Sequence, residues 1–339
     1  MKERKEEYHQ TEEGRNKLEV FDEQCIGRIS EVQKNSYLIR YCEKEISAKL
    51  SGKFYREETM FPVVGDYVTF RYNPNGDSKI IEICERKNFL TRPDTAKSMK
   101  EQSMAANIDY AFLVMSLNDN FSVNRAVRYA ATVLQEGVQP IVILTKADLC
   151  PDVEILKEQL IEMLPQIEVH AVSALTGDGM DKLQEYLQPG NTIALLGSSG
   201  VGKSTLVNAL AGTEIMKTGE IREKDAKGRH TTTYREMIEL PNNVVIIDTP
   251  GMREIGLCDV DEGIDDTFED IAELAAQCRF RDCTHTNEPR CAVRQALENG
   301  QLSKERFELY RSLHVESRKS ADMKAIAKAR KALNKTRKR

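Results

Sequence analysis

Residues 197–204 form a motif of the kind that binds nucleotide phosphates. The pattern is G-x-x-x-x-G-K-[ST], and it lies between an apolar run at 192–197 and a helix-like run that starts at Ser204. Glycines in such a loop let backbone N–H groups surround phosphate oxygens at a helix N-terminus. We expect Lys203 to reach the β- and γ-phosphates and the Ser204 hydroxyl to bind Mg²⁺. The residues predicted to contact nucleotide here are Gly197, Ser198, Ser199, Gly200, Val201, Gly202, Lys203, Ser204 and Thr205.

A D-x-x-G element follows the phosphate loop at the distance that such a site needs. Asp248 ends the apolar run 244–248, and Gly251 comes three residues later. D-x-x-G alone is common, but a strand that joins it to a phosphate loop makes it specific. We expect Asp248 to hold Mg²⁺ through water and the Gly251 N–H to sense the γ-phosphate.

A polar loop between these elements carries the candidate catalytic side chains. The segment 228–233 is rich in hydroxyl groups, and one of its threonines is expected to close on Mg²⁺ when nucleotide is bound. His230 is the candidate for orienting the attacking water, because it is the titratable imidazole of this loop. The alternative is that His230 packs the closed loop or touches RNA. The catalytic candidates are His230, Thr231, Thr232 and Gly251.

Two short elements predict that the base is guanine. Residues 145–148 read T-K-A-D after an apolar run, and an aspartate in this position accepts hydrogen bonds from guanine N1–H and N2–H₂, a donor pair that adenine lacks. The Lys146 stem can cover the base, and Ser173 with Ala174 can supply a backbone N–H for guanine O6. In isolation, T-K-A-D is equally an ordinary strand-to-helix turn with an aspartate N-cap. The guanine candidates are Thr145, Lys146, Asp148, Ser173 and Ala174.

The order of these elements is permuted. In ordinary small GTPases the phosphate loop comes first, whereas here the guanine elements precede it. The same sheet forms if the natural ends are joined and the chain is opened after the D-x-x-G loop. The γ-phosphate sensor then leads directly into whatever follows residue 263, so the nucleotide state can bias the C-terminal region.

Three cysteines and one histidine crowd within fourteen residues. Three thiolates and an imidazole make a closed tetrahedral zinc site of the structural type. The alternative is a set of ordinary buried thiols beside a surface histidine. The predicted ligands of one structural Zn²⁺ per chain are Cys278, Cys283, His285 and Cys291.

The elements that must position these residues fall into several predicted domains. Apolar runs that alternate with helical stretches near 122–136, 153–163 and 180–187 indicate a parallel sheet covered on both faces. Five short β-rich runs before residue 86 suggest an OB-type barrel. The predicted fold is multidomain: an OB-type β-barrel, a circularly permuted α/β P-loop GTPase and a helical zinc-binding domain. The expected limits are a charged mobile leader at 1–20, the barrel at 21–86, a linker at 87–108, the GTPase at 109–262, the zinc domain at 263–316 and a basic tail at 317–339.

Composition limits the alternatives. With 339 residues, 40% apolar and 30% charged, the chain is not collagen-like, low-complexity or wholly disordered. No apolar run approaches the roughly 18–20 residues that span a bilayer, so no membrane partner and a cytoplasmic location are expected. The net charge of −5 hides a tail with ten basic residues and one acid, which indicates a polyanionic partner or, alternatively, a solvated helix.

The succession of these motifs resembles the ribosome small subunit-dependent GTPase A family (RsgA, YjeQ or YloQ). The resemblance covers about residues 20–316 and includes an apolar residue, Met252, where ordinary GTPases carry a water-orienting glutamine. It implies the three domains named above and action late in maturation of the small ribosomal subunit. It does not explain the leader or the tail.

We therefore expect a monomeric GTP hydrolase that binds GTP and GDP with Mg²⁺ and is stimulated by the small ribosomal subunit and its rRNA. The alternative is an RNA-binding assembly factor that uses GTP only as a binding switch.

Overall fold

The N-terminal part is a small closed barrel. The computed structural model describes residues 24–56, 60–93, 101–118, 121–216, 236–248 and 260–336. Five strands follow the order β1-β2-β3-β5-β4, and β4 pairs back with β1, which confirms the predicted five-stranded barrel. The barrel elements are β1 (Gln24–Val32), β2 (Tyr37–Tyr41), β3 (Lys44–Leu50), the short helix α1 (Gly52–Arg56), β4 (Tyr67–Arg71) and β5 (Ser78–Ile83).

The barrel closes around a small apolar core. Ile29, Ile39 and Phe70 are fully buried at its centre. Gly27 lies where the strands come closest, since a Cβ there would stand 2.4 Å from the Ile39 side chain and 2.9 Å from the Arg40 carbonyl oxygen. A glycine at this position allows β1 to pass over its neighbours.

The segment predicted to be a linker, 87–108, contains a pair of strands in its described residues. Strand β6 (Phe89–Pro93) pairs antiparallel with β7 (Glu101–Ala106). The Ala106 N–H donates to the Val64 carbonyl at 2.9 Å, so the ladder is attached to the barrel. Leu90 and Ala105 are buried. The few apolar residues of these strands stand among charged ones, so the sequence shows no clear strand pattern here.

The central part is an α/β sheet with helices on both faces. Its strand order is β10-β9-β8-β11-β13-β12, parallel except for β12, which is antiparallel to β13. Along β8, Leu113 and Met115 face one apolar layer while Phe112 and Val114 face the other. The strands are β8 (Tyr110–Ser116), β9 (Gln139–Thr145), β10 (Val169–Ala171), β11 (Thr192–Leu196), β12 (Glu236–Glu239) and β13 (Val245–Asp248).

The covering helices follow the sequence prediction with one difference. Helices α2 (Val123–Gln135), α3 (Val153–Met163) and α4 (Lys203–Ala211) are present, and the Ser122 hydroxyl caps α2 by accepting from the Arg125 N–H. The helical stretch predicted near 180–187 is instead a 3₁₀ helix over Met180–Glu185. Leu183 in this helix and Tyr186 directly after it are nevertheless buried in the apolar layer against the sheet.

Barrel and α/β sheet form one continuous eleven-stranded sheet. Strand β1 pairs with β12 at Glu31 and Glu236, and Arg40 forms an ion pair with Glu239. Arg28 adds a further connection, because its guanidinium donates to the Thr192 hydroxyl at 2.8 Å at the start of β11. The barrel is therefore attached to the strand that leads into the phosphate loop.

Four helices follow β13 in the described C-terminal part. They are α5 (Asp261–Thr267), α6 (Glu269–Ala276), α7 (Ala292–Glu298) and α8 (Lys304–Thr336). The predicted limits at 262 and 316 both fall inside helices, α5 and α8. None of the described helices is both long and apolar enough to cross a membrane.

Candidate nucleotide site and candidate metal centre

The phosphate loop connects β11 to α4 as the sequence predicted. Gly197 and Gly202 adopt φ values of 156° and 95°, and a Cβ on Gly197 would lie 2.3 Å from the Val114 carbonyl oxygen. Only glycine tolerates that combination of dihedral angle and close approach. The Lys203 ammonium donates to the carbonyl oxygens of Gly197 at 2.7 Å and Ser198 at 3.0 Å, so it lies across the loop that would hold phosphate.

Metal-binding candidates lie at the same edge of the sheet. Ser204 is half-buried in the first turn of α4. Asp248 is the last residue of β13 and is paired in register with Leu195 of β11, with only 7% of its surface exposed. The carboxyl ends of parallel strands share one edge, so a carboxylate and a hydroxyl face the region of the phosphate loop. Both groups are oxygen donors, which suit Mg²⁺.

The T-K-A-D element contacts the phosphate loop directly. The Thr145 hydroxyl donates to the Val201 carbonyl at 2.5 Å, and the Lys146 ammonium donates to the Gly200 carbonyl at 3.0 Å. Lys146 adopts a left-handed backbone conformation with φ of 59°, which turns the chain sharply after β9. The following 3₁₀ turn, Ala147–Leu149, leaves the Asp148 carboxylate exposed and available for a base.

The S-A element lies beside T-K-A-D. The Ala147 N–H donates to the Val172 carbonyl at 3.2 Å, which connects the two loops. Ser173 is buried; its N–H donates to the Asp178 carbonyl and its hydroxyl accepts from the Thr176 N–H. Ala174 is half-buried in this fixed turn. The structure thus brings together the phosphate loop and both predicted guanine elements.

The remaining catalytic candidates lie outside the described residues. These are His230, Thr231, Thr232 and Gly251, together with Met252. Their roles remain predictions.

The predicted zinc ligands form one cluster at the C-terminal end of the molecule. Their four donor atoms, from Cys278, Cys283, His285 and Cys291, all lie within 4.8 Å of one another. The Cys278 and Cys291 sulfurs are 3.7 Å apart, and His285 Nδ1 is 3.6 Å from the Cys278 Sγ and 3.4 Å from the Cys291 Sγ. Zinc bonds of about 2.3 Å to sulfur and 2.0 Å to nitrogen in a tetrahedron require donor separations of about 3.5–3.8 Å. The cluster therefore fits a tetrahedral zinc ion.

The surroundings of the cluster favour the same ion. Burial holds the pKa of His285 below its usual range, which keeps the imidazole neutral, the form that binds metal. Cys278 follows α6, Cys291 caps α7 by accepting from the Arg294 N–H, and the His285 ring lies against Phe307 of α8. A bound ion would hold three helices together. Four protein ligands would fill its coordination sphere, so no position remains for a substrate.

A second group of candidate ligands was not predicted. Glu168, His170 and Glu185 bring their donor atoms within 4.8 Å of one another at the edge strand β10. The Tyr186 hydroxyl occupies this group, since it donates to Glu168 at 2.6 Å and lies 2.8 Å from His170 Nε2. The arrangement is a hydrogen-bonded network that holds the edge of the sheet.

Comparisons with known proteins agree with the site. A family model described as RsgA GTPase matches residues 83–258. A Listeria monocytogenes protein named small ribosomal subunit biogenesis GTPase RsgA 1 is 44% identical over 306 residues, which cover 90% of this chain and 87% of that protein.

Two solved structures share the fold. YjeQ from Thermotoga maritima has a TM-score of 0.67 and 27% identity, covering 87% of this chain and 98% of its own. YloQ, described as a circularly permuted GTPase, has a TM-score of 0.65 and 28% identity, covering 90% of this chain and 98% of its own. With the nucleotide elements assembled in permuted order and relatives matched over nearly their whole length, the chain belongs to the RsgA family of circularly permuted GTPases.

Proposed function

We propose that this protein is a Mg²⁺-dependent GTP hydrolase that binds the small ribosomal subunit and assists its late maturation. The enzyme class follows from the family, and the subunit follows from the name of the Listeria relative, a small ribosomal subunit biogenesis GTPase. The reaction is attack of water on the γ-phosphate of GTP, which gives GDP and inorganic phosphate. The protein's task is to position GTP and to stabilise the charge that develops on the phosphate oxygens.

One observation carries the nucleotide assignment. The hydrogen bonds from Thr145 to Val201 and from Lys146 to Gly200 join the guanine element to the phosphate loop, although the two are more than fifty residues apart in sequence. A base on the Asp148 carboxylate and phosphates on the loop would therefore belong to one ligand. Asp148 reads N1–H and N2–H₂, Lys146 covers the base and the Ala174 N–H binds O6.

The phosphate end of the site is assigned to a second set of groups. With GTP bound, the Lys203 ammonium would contact the β- and γ-phosphates, and the Ser204 hydroxyl and the Asp248 carboxylate would hold Mg²⁺. The ion supplies neutralisation of phosphate charge. Backbone N–H groups of 198–205 surround the phosphates at the positive end of α4.

The hydrolytic step is assigned to the loop 228–233 and to Gly251. A hydroxyl of Thr231, Thr232 or Thr233 would help to hold Mg²⁺. His230 would orient the attacking water, and the Gly251 N–H would sense the γ-phosphate. Because Met252 cannot orient water by a hydrogen bond, we infer that intrinsic hydrolysis is slow and that the ribosomal subunit accelerates it.

The C-terminal helix is the proposed rRNA contact. Helix α8 runs from Lys304 to Thr336, and its packed part ends near Ser317, whose buried hydroxyl accepts from the Val260 N–H. Eight of the ten basic tail residues follow position 321 in the sequence. A run of basic residues so rich in lysine and arginine is suited to rRNA phosphates, because their contacts release counterions from the RNA.

A second candidate is an assembly factor in which GTP acts only as a binding switch. The observation that favours it is the connection between the sensor and the C-terminal helix. Helix α5 follows the D-x-x-G segment and is fastened to α8 by His314, whose two ring nitrogens lie 3.2 Å from Asp261 and 3.0 Å from Asp265. A displacement of the sensor would reach α8 through α5 whether or not GTP is hydrolysed.

Further properties belong to the same proposal. The metal cluster holds one Zn²⁺ per chain, the protein is a monomer, and it acts in the cytoplasm, where subunits mature. The barrel at 21–86 and the zinc domain at 263–316 bind the subunit on either side of the GTPase at 109–262.

Co-sedimentation with purified small subunits tests the partner. Protein is pelleted with subunits in GDP or in a non-hydrolysable GTP analogue over a salt series. We expect more binding with the analogue, and Lys203→Ala should abolish that difference. Equal pelleting of wild-type protein with either nucleotide, or none with both, would contradict the proposal.

Truncation tests the helix. Removal of 322–339 spares the contact of Ser317 with Val260, so α8 stays packed. Binding should weaken and its salt dependence should become shallower, because fewer counterions are released from rRNA. A full-length control in which the lysines of 322–339 become arginine keeps the charge and should keep the salt slope. An unchanged slope in the truncated protein would remove the helix from the interface.

A further inference from the structure

The loop between the zinc ligands Cys283 and Cys291 is organised by one carboxylate. Glu288 Oε1 accepts from the Thr284 N–H at 2.9 Å and from the Thr284 hydroxyl at 2.6 Å. Glu288 Oε2 accepts from the N–H groups of Thr286 at 3.0 Å and Asn287 at 3.1 Å. Four donors thus converge on one side chain, which is three residues from either neighbouring ligand, His285 or Cys291.

The backbone that these bonds hold is unfavourable for ordinary residues. His285, which lies between the bonded residues Thr284 and Thr286, has a φ of 58°, in the left-handed region. Such conformations persist when surrounding contacts determine them. The donors on Glu288 come from residues on both sides of His285, so the carboxylate fixes the residue whose Nδ1 completes the ligand set.

Glu288 acts from outside the ligand set. The four donor atoms of the cluster come from three cysteines and one histidine, and both carboxylate oxygens of Glu288 are engaged by the loop. The hydrogen bonds from the Thr284 side chain and backbone lower the pKa of Glu288 to about 2. The carboxylate is therefore ionised throughout the pH range in which zinc thiolates are stable, and it is a permanent acceptor.

We propose that Glu288 is a positioning residue of the metal centre: its carboxylate fixes the loop 284–288 so that His285 meets the three thiolates in tetrahedral geometry. This inference rests on the proposed zinc site. Glutamine at 288 keeps the size of the side chain but turns an amide NH₂ towards donors, so at least one of the two acceptor oxygens is lost.

The test measures zinc retention in the full-length, zinc-loaded protein. Release to a chromogenic chelator is followed for wild type, Glu288→Gln and Thr284→Val, with Glu273→Gln on the exposed face of α6 as the matched control. Groups that orient metal ligands typically contribute about 10–100-fold in metal affinity. We expect zinc affinity about 10-fold or more lower in Glu288→Gln, a smaller loss in Thr284→Val, and none in Glu273→Gln.

A spectroscopic readout separates positioning from ligation and from unfolding. After Co²⁺ replaces zinc, the thiolate charge-transfer and visible bands should report three sulfurs and one nitrogen in wild type and in Glu288→Gln alike. A wild-type spectrum that requires a carboxylate oxygen among the ligands would make Glu288 a ligand and overturn the proposal, as would unchanged zinc affinity in both loop variants. If Glu288→Gln does not fold, Thr284→Val decides, because it removes one donor and leaves the carboxylate.

The outcomes also separate this inference from the zinc proposal beneath it. A wild-type protein without zinc contradicts the metal site itself. A wild-type protein with one zinc ion, alongside a Glu288→Gln variant that holds it as tightly, contradicts only the role of Glu288.

Discussion

The hydroxyl of Thr145 donates a hydrogen bond to the carbonyl oxygen of Val201 across 2.5 Å, although the two residues are 56 positions apart. Thr145 is buried at the end of β9, and Val201 is buried in the phosphate loop. The permuted chain reaches the two loops in the reverse of the usual order, yet it joins them by a direct contact. We therefore expect base recognition and phosphate binding to depend on one another.

Thr145→Val should weaken the binding of both GDP and GTP. Valine has nearly the same shape as threonine but lacks the hydroxyl that donates to Val201. The Val201 carbonyl would then be buried without this hydrogen bond, at a cost of about 1–3 kcal/mol. That cost corresponds to a loss in affinity of roughly 5- to 150-fold. Titration calorimetry with GDP and with a GTP analogue measures it, with Thr145→Ser as the control that keeps the hydroxyl. Wild-type affinity in Thr145→Val would show that the contact does not shape the site.

Asp148→Asn should change which base the protein accepts. The carboxylate pairs with two donors that guanine presents, whereas an amide can donate to the C2 carbonyl of xanthine. Competition between GTP, XTP and ATP measures the change, and we expect XTP to bind the variant better than GTP does. Asp152→Asn, in the same exposed stretch, is the matched control. Equal binding of ATP and GTP to the wild-type protein would refute the assignment of 145–148.

Cys283→Ser should release the metal while the nucleotide site is kept. Serine replaces one of the zinc-binding thiolates with a hydroxyl. The helices α6, α7 and α8 then lose the metal site that holds them together. Elemental analysis should find about one zinc per chain in wild type and far less in the variant. Fluorescent GDP should bind both equally. Cys42→Ser, an exposed cysteine of the barrel, is the control and should keep zinc.

Gly263→Ala should destabilise the protein by separating α5 from α2. A Cβ at 263 would lie 2.0 Å from the Ala131 carbonyl oxygen and 2.8 Å from the Gln135 nitrogen, and backbone atoms cannot rotate away. Overpacking of this kind costs about 1–3 kcal/mol or more. Urea unfolding should show a lower midpoint. Gly52→Ala is the matched control, because a Cβ there meets only the end of the Arg56 side chain at 3.7 Å. Equal midpoints for the two variants would disprove the close crossing.

The sequence predicted that the phosphate loop would connect a strand to a helix, because the signals for such a loop are local. A phosphate loop needs glycines at fixed spacing between a strand and a helix, and that pattern is legible without tertiary information. The contact of Lys146 with Gly200 could not be predicted from the sequence, because it depends on how two loops that are distant along the chain meet in the fold. The proximity of the three cysteines and His285 was predicted from their close spacing in the sequence, and the structure brings their donor atoms together.

Features that depend on long-range pairing were missed. The β6–β7 ladder has few apolar residues, and its order derives from contacts such as that of Ala106 with Val64. Strand β12 has only four residues and is stabilised by pairing with β13 on one side and β1 on the other. The sequence analysis did not single out Glu288, because it considered only cysteine and histidine as zinc ligands. The short spacing between Thr284 and Glu288 could have indicated a hydrogen bond between their side chains.

Multiple-turnover GTP hydrolysis with and without purified small ribosomal subunits shows whether the protein is a subunit-stimulated GTPase. Phosphate release is measured for wild type, for Lys203→Ala and for His230→Ala. We predict slow turnover by the protein alone and strong acceleration by subunits. Lys203→Ala should show no acceleration, and His230→Ala should bind the subunit but lose most of the acceleration. Full acceleration in His230→Ala would remove only that residue from the mechanism. Wild-type protein that binds the subunit in a GTP-dependent manner but never turns over faster on it would contradict the account and favour the binding switch.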